Sequence, residues 1–337
     1  MQLARWMTGA CCALAAMSAA PAGAAPVAAR IAPKTVRADV YPRPVARFAG
    51  GVVGQADVEY ANLSGYRPLT LDLYRRARPG RPAPLVIWIH GGGWNRGDSR
   101  TSGAYADWPG VLASLAARGF VVASVNYRLS GEARFPAQIQ DVKAAIRFLR
   151  ANAVRYGIDP SRVYAWGGSA GGHLAALAAT SCGVEAFAPV ASTGRLSGAE
   201  ARAARPLTQS DCVQGAAIWY GIFDLADVGK LDAPSLLGCA PGACAGAAAA
   251  ASPVTYVDPA DPPMLLIHGL ADTEVSPQQT RAMAQRLRAA GVPVETLFTP
   301  GVDHGWIGTD AAATRAASLQ ALQRTFDFFD AQARPSR

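Results

Sequence analysis

Ser169 is the residue whose surroundings point most directly to chemistry. It lies in Gly167-Gly168-Ser169-Ala170-Gly171, a Gly-x-Ser-x-Gly pattern. A β-prone run, Val163-Tyr164-Ala165-Trp166, precedes it, and an Ala/Leu-rich run to Ala179 follows. The spacing predicts a strand, a very tight turn and a helix. A serine hydroxyl is a weak nucleophile unless it is exposed, held rigid and placed beside a base. A sharp turn between small residues supplies the first two conditions. The plain alternative is a helix-capping serine. The flanking runs and the partners found downstream favour the nucleophile.

The base is expected to be His304, in the glycine-flanked segment Pro300-Gly301-Val302-Asp303-His304-Gly305. Asp272, in the loop after Met264-Leu265-Leu266-Ile267-His268-Gly269, is the expected orienting acid. It would hold the imidazole tautomer and stabilise the cation. Asp224 also follows a predicted strand and is the rival for that role, whereas Asp303 is expected to point elsewhere. Acyl transfer puts negative charge on a carbonyl oxygen, and preformed N–H donors stabilise it. His90-Gly91-Gly92-Gly93-Trp94 follows a buried strand and leaves backbone N–H groups uncovered. The expected oxyanion donors are the N–H groups of Gly92, Gly93 and Ala170; a phosphate-binding or structural glycine loop is the alternative. His90 is read as a brace for this loop, His173 as a packed or hydrogen-bonded helix residue, and His268 as a satisfied buried one.

These residues need a scaffold that collects strand ends. Ala56–Tyr60 and Leu69–Tyr74 alternate as half-exposed strands around the turn Asn62-Leu63-Ser64-Gly65, an antiparallel edge pair. Pro84–Ile89 is a continuous apolar run, the mark of a strand buried on both faces. A helix from about Tyr105 to Arg118, a strand over Phe120–Tyr127 and a helix from Gln138 to Tyr156 follow. Beyond the serine come strands at Val213–Gly221, Met264–Gly269 and Val294–Phe298. Helices are expected over Ala243–Ala251, from Pro277 through Ala289, and from about Ala313 to Ala333. This alternation predicts an α/β fold with a mostly parallel central sheet and helices on both faces. Ligands in such sheets sit beyond the carboxyl ends of the strands, where Ser169, Asp272, His304 and the 90–94 loop all fall.

The chain has 337 residues, half of them hydrophobic, and a net charge of +8 from scattered arginines. No basic stripe or polybasic tail suggests a nucleic-acid partner. Arg5 followed by the small apolar run Met7–Ala20 and a small-x-small site near Ala24 or Ala25 reads as a secretory signal over residues 1–25. Residues 26–50 read as a Pro/Ala-rich linker or surface arm, and 51–337 as the catalytic domain. No stable membrane anchor is expected, and the protein is placed in the periplasm or the medium. Cys182, Cys212, Cys239 and Cys244 remain after the signal, an even number suited to disulfides in an exported chain. Of the three possible pairings, Cys182–Cys212 with Cys239–Cys244 is favoured over free buried thiols; zinc is not expected. The irregular segment 187–209 is either a lid or a solvated loop.

From about residue 55 to 330 the chain resembles bacterial α/β-hydrolase esterases, especially the feruloyl/acetyl-xylan esterase-like group. It is also similar to the hormone-sensitive-lipase-like carboxylesterases. The resemblance rests on His90-Gly-Gly-Gly-Trp94 with Gly97-Asp98, Gly157-Ile-Asp-Pro160, Gly167-Gly-Ser-Ala-Gly-Gly-His173, Tyr220-Gly221 with Asp224, Ser252-Pro253, His268-Gly269 with Asp272, and His304-Gly305. The order Ser, Asp, His also matches that fold. The resemblance implies the α/β-hydrolase fold and hydrolysis of short-chain or aromatic carboxylic esters, acetyl or feruloyl in type, by a serine carboxylesterase without metal or cofactor. The substrate would be a small-molecule or polysaccharide-linked ester. Two alternatives stand beside it: a serine amide hydrolase of the exopeptidase or formamidase kind, and a catalytically inactive hydrolase fold used for binding.

Overall fold

The computed structural model describes residues 45–78, 80–193, 207–226, 233–240 and 243–334. The expected signal segment, residues 26–44 of the expected arm and residues 194–206 of the 187–209 segment lie outside the described residues.

Nine strands form one sheet: β1 (Val45–Phe48), β2 (Val52–Ala61), β3 (Leu69–Arg76), β4 (Ala83–Ile89), β5 (Val121–Val125), β6 (Ile158–Gly168), β7 (Ala216–Trp219), β8 (Met264–Gly269) and β9 (Val294–Thr299). Their order is β1-β2-β3-β5-β4-β6-β7-β8-β9. β1, β2 and β3 run antiparallel to their neighbours, and β5 through β9 pair in parallel. The long helices are α1 (Trp108–Ala117), α2 (Ala137–Ala151), α3 (Ala170–Thr180), α4 (Ala245–Ala251), α5 (Pro277–Ala289) and α6 (Ala311–Gln332).

Two boundaries depart from the sequence reading. Residues 45–48, assigned to the arm, are instead part of the sheet edge. β1 pairs with β2 in the register Val45↔Gln55 to Phe48↔Val52, and Phe48 packs edge-on against Tyr74 at 5.6 Å. A lone four-residue strand gains stability only from the edge it covers, so its own pattern carries little signal. The helix expected to reach Tyr156 breaks at Asn152, whose side-chain amide donates to Phe148 O at 2.8 Å. That local bond competes with the helical ladder.

Alternation along the central strands divides the core into two layers. Leu85, Ile87 and Ile89 of β4 and Val163 and Ala165 of β6 face a layer built with α2, α3 and α5. Val86, Trp88, Tyr164 and Trp166 face the opposite layer, built with α1 and α6. Covering both faces is what makes these strands read as unbroken apolar runs. In the second layer Trp88, Trp108, Trp166 and Trp219 meet with ring centroids between 4.4 and 6.0 Å apart. The Trp219 indole N–H donates to Thr325 Oγ1 of α6 at 2.8 Å, fixing that helix to the sheet.

The first layer carries polar ties. Buried Lys143 on α2 donates to Ser181 O at 2.6 Å and pairs with Asp211 at 3.0 Å. Both partners flank the Cys182–Cys212 bridge, and Cys239–Cys244 is also formed. Two buried histidines hold the chain after β4. His90 Nδ1–H donates to Gly91 O at 2.8 Å, and its ring stacks on Tyr127 at 4.3 Å. Trp94 Nε1–H donates to His173 Nδ1 at 3.1 Å, and His173 Nε2–H donates to Ala251 O at 2.7 Å. Burial pushes both imidazoles down to about 4; in each case the hydrogen bond to a backbone carbonyl opposes the shift without reversing it.

Two outcomes follow for stability. The Cys182–Cys212 bridge spans a sequence separation of 30, so the Cys182→Ser/Cys212→Ser variant should lose about 3–4 kcal/mol. Denaturant unfolding should show this as a lower midpoint, and an unchanged midpoint would refute it. His90 and His173 are held below the unfolded value of about 6.5, so acid favours the unfolded chain. Their effect vanishes above pH ~6.5, and stability falls as the pH drops towards about 4, by about 1.4 kcal/mol per pH unit for each histidine. Melting temperatures taken between pH 7 and pH 4 should fall less steeply in His173→Gln than in the parent; parallel curves would count against it.

Candidate active site

The parallel strands end along one rim, and the candidate residues are the next ones in the chain. Ile89 pairs with Gly167, Gly168 with Trp219, Trp219 with Ile267, and Gly269 with Thr299. One step beyond those rows lie the 90–97 loop, Ser169, Tyr220, the 270–276 loop and the loop carrying His304. β7 separates β6 from β8, so the ends of those two strands stand roughly 10 Å apart. The loop after β9 bridges that distance.

Ser169 is the whole turn between β6 and α3, with φ 57° and ψ −125°. A Cβ at Gly167 would stand 2.2 Å from Gly171 O, and one at Gly171 would stand 2.0 Å from Ile89 O. No side chain fits at either place, which is why glycine flanks the serine on both sides. The serine remains 9% exposed, enough to be reached from the cavity.

Ser169 Oγ–H donates to His304 Nε2 at 3.0 Å, and His304 Nδ1–H donates to Asp272 Oδ2 at 2.8 Å. The Asp272 carboxylate is fully buried as a side chain. Its Oδ1 accepts from the N–H groups of Val275 at 2.8 Å and Glu274 at 3.0 Å. Its Oδ2 accepts a second imidazole, His268 Nε2–H, at 3.1 Å. Burial alone would raise this carboxyl. Hydrogen bonds from His268 and His304, with the backbone, overcome it and hold the group well below the usual carboxylate range. Asp272 is therefore an anion at any working pH.

The other histidines have non-reactive places. His173 and His90 brace the glycine loop, as described. His268 is buried, accepts from Thr280 Oγ1–H at 2.6 Å through Nδ1, and shares its Nε2–H between Asp272 and Val275 O at 3.0 Å. Its contact with Asp272 is a feature that the sequence reading missed. The signal was present in the i, i+4 spacing of His268 and Asp272, but a strand-to-loop transition gives no fixed geometry to read it from. Asp224, the rival acid, accepts from Ala226 N–H at 2.9 Å and makes no contact with His304. Asp303 accepts from Thr273 N–H at 2.8 Å and His304 N–H at 2.7 Å, clamping the acid loop to the base loop.

The glycine loop lies against the turn. A Cβ at Gly91 would stand 2.8 Å from Gly168 O and 3.3 Å from Ser169 Cβ. Gly92 and Gly93 have positive φ, 104° and 58°, and Gly92 O accepts from Asn95 and Arg96 N–H. Ala170 opens α3, so its N–H has no partner within the helix. Gly92, Gly93 and Ser169 line one cavity of about 680 Å³, together with Trp88, Tyr220 and His304. Glu274 also reaches it: Oε2 stands 3.8 Å from His304 Nε2, and the side chain is 60% exposed. This geometry can pass the Ser169 proton to His304 while a buried anion balances the charge. Next to it lies the glycine loop, of which Gly91, Gly92 and Gly93 line the same cavity.

Known proteins place the chain. The BD-FAE family matches residues 71–287, and the prolyl oligopeptidase family matches residues 245–335. Esterase LipQ of Mycobacterium tuberculosis is 34% identical over 81% of this chain and 61% of its own length. Esterase LipC of the same organism is 35% identical over 72% of this chain and 58% of its own. The chain thus spans about three fifths of the length of these curated relatives. Among solved structures, a truncated carbohydrate esterase from gut microbiota superposes with a TM-score of 0.67, at 31% identity, over 83% of this chain and 96% of that one. With a mostly parallel nine-stranded sheet, a serine turn after β6 and a BD-FAE match across most of that sheet, the chain has the α/β-hydrolase fold and belongs to the BD-FAE family.

Proposed function

We propose that this chain is an exported serine carboxylic-ester hydrolase that works through an acyl-enzyme. The observation that carries the reading is the unbroken relay Ser169 Oγ, His304, Asp272 at 3.0 and 2.8 Å, opening into one cavity. Ser169 Oγ attacks the acyl carbon as its proton passes to His304 Nε2. The resulting oxyanion is held by the N–H groups of Gly92, Gly93 and Ala170. The bond to the alcohol oxygen breaks, and that oxygen leaves with the proton from Nε2. Water then gives a proton to Nε2 and its oxygen to the acyl carbon; the bond to Oγ breaks, and the proton returns to Ser169. Asp272 keeps Nδ1 protonated throughout and balances the imidazolium.

Short-chain or aromatic acyl groups suit a cavity of about 680 Å³ better than long lipids do. The esterase relatives and the carbohydrate esterase neighbour support ester cleavage. The prolyl oligopeptidase match covers the segment carrying acid and base, machinery that ester and amide hydrolases share. An amide panel run beside the esters separates the two. Two disulfides support an oxidising compartment, and the signal reading of residues 1–25 supplies the route.

A fluorophosphonate probe should label the parent covalently and leave Ser169→Ala unlabelled. Labelling of the alanine variant would remove Ser169 from its role. On 4-nitrophenyl acetate, Asp272→Asn should lower kcat by about 10³–10⁴-fold, because the imidazole then takes the wrong tautomer. Asp224→Asn should stay within about threefold of the parent, as expected for a residue with no contact to the relay. The reverse ranking would exchange the two acids.

A further inference from the structure

Glu274 offers the cavity a carboxylate that the relay does not employ. Among the described residues lining the cavity it is the one acid. Its side chain makes no hydrogen bond within the described residues, and its one ion-pair contact is the 3.8 Å approach to His304 Nε2. Both oxygens are therefore open to an incoming donor.

Its position decides which part of a substrate it meets. In the reading proposed above, His304 Nε2 gives its proton to the departing alcohol oxygen. Proton transfer requires that oxygen within about 2.6–3.2 Å of Nε2. A carboxylate oxygen 3.8 Å from the same nitrogen, on a side chain 60% exposed, is then within reach of a group on the next carbon of the alcohol.

Tyr220 faces the same space. Its ring packs on His304 with centroids 4.5 Å apart, and its backbone is held at φ 35°. Its hydroxyl has no hydrogen-bond partner among the described residues, and a Cβ at Gly168 would stand 3.1 Å from it. Burial first, then the charges of Asp272 and Glu274, push the phenol up, so it stays a donor. Backbone strain of this kind clusters at active sites and ligand clamps. Arg96 and Asn95 line the cavity as well, so the wall is mixed in charge and is not built for a cation.

We propose that Glu274 is a specificity residue for the leaving alcohol: it accepts a hydrogen bond from a free hydroxyl on the carbon next to the ester oxygen, with the Tyr220 hydroxyl as a second contact. The site then prefers an ester whose alcohol carries a free hydroxyl next to the ester oxygen to one whose alcohol does not. This inference rests on the ester-hydrolase reading and adds the residue that reads the alcohol.

The test is a ratio. 2-Hydroxyethyl acetate and 2-methoxyethyl acetate share an acyl group and differ in the donor that Glu274 would bind. The parent should show kcat/KM at least about fivefold higher for the hydroxyl ester, the scale of one solvent-exposed, charge-assisted hydrogen bond. Glu274→Ala should bring the ratio to about one, and Glu274→Gln, which keeps an acceptor but no charge, should fall between. A parent ratio near one overturns the inference, and so does a high ratio that survives Glu274→Ala. Loss of both rates at a constant ratio also overturns it, because Glu274 would then be acting on His304 rather than on the alcohol. Acetylcholine as a third ester reports on charge: a stronger preference for it than for the hydroxyl ester overturns the assignment in favour of a cation site. Failure of the parent on every acetate, with no fluorophosphonate labelling, would instead remove the ester-hydrolase reading and this inference with it.

Discussion

Reversing the chain within one residue at Ser169 is the constraint on which the site depends. β6 ends at Gly168 and α3 begins at Ala170, so Ser169 alone holds a backbone that L-residues avoid. Such a conformation costs on the order of 1–3 kcal/mol and persists only where its surroundings over-determine it. Ser169 N–H donates to Trp219 O at 3.0 Å, and Ser169 O accepts from His173 N–H at 2.9 Å. Ser169 is thus locked to β7 on one side and to its own helix on the other. Because the Gly171 backbone touches the end of β4, the glycine loop cannot shift without moving the turn. The glycine loop and Ser169 are one rigid unit.

The acid is locked by different means. Asp272 sits on a loop, where the backbone supplies no ladder, and its carboxylate takes four N–H donors instead. Two come from its own loop and two from imidazoles. An anion so fully satisfied loses little by burial, and its remaining field acts on His304 through low-dielectric surroundings. His268 supports Asp272 in its turn, anchored by Thr280 on α5. Asp303 then ties the His304 loop to the Asp272 loop through backbone N–H groups. Strand geometry places the serine, and hydrogen bonding places the acid and base.

That difference explains which parts were legible in the sequence. β4, β6 and β8 are buried on both faces, so composition alone marks them, and the turn after β6 has a fixed residue requirement at Gly167 and Gly171. Helix starts were legible where a proline sets them, as Pro277 does for α5. Loop geometry was not. His268 and Glu274 lie four and two residues from Asp272 in a segment with no periodicity, and their directions depend on contacts to α5 and His304. β1 was hidden for a related reason: its stability belongs to the β2 edge that it covers. The meeting of Trp88, Trp166 and Trp219 needed the strand register, which side-chain types alone do not report.

The rigid unit and the tuned acid are indifferent to the alcohol and acyl group, because they act on atoms common to every ester. Discrimination must come from groups that touch the substrate away from the reacting carbon. A built hydrogen-bonding site rejects a partner lacking the matching group more strongly than an apolar pocket rejects a missing methylene. The cavity offers both kinds of wall. Trp88, nearly buried, is an apolar part of its lining and is packed in a tryptophan cluster. Glu274 and Tyr220 present unspent polar capacity beside the proton-transferring nitrogen. Discrimination by Glu274 and Tyr220 would therefore fall on the alcohol, where a partner without a donor leaves polar groups unmatched.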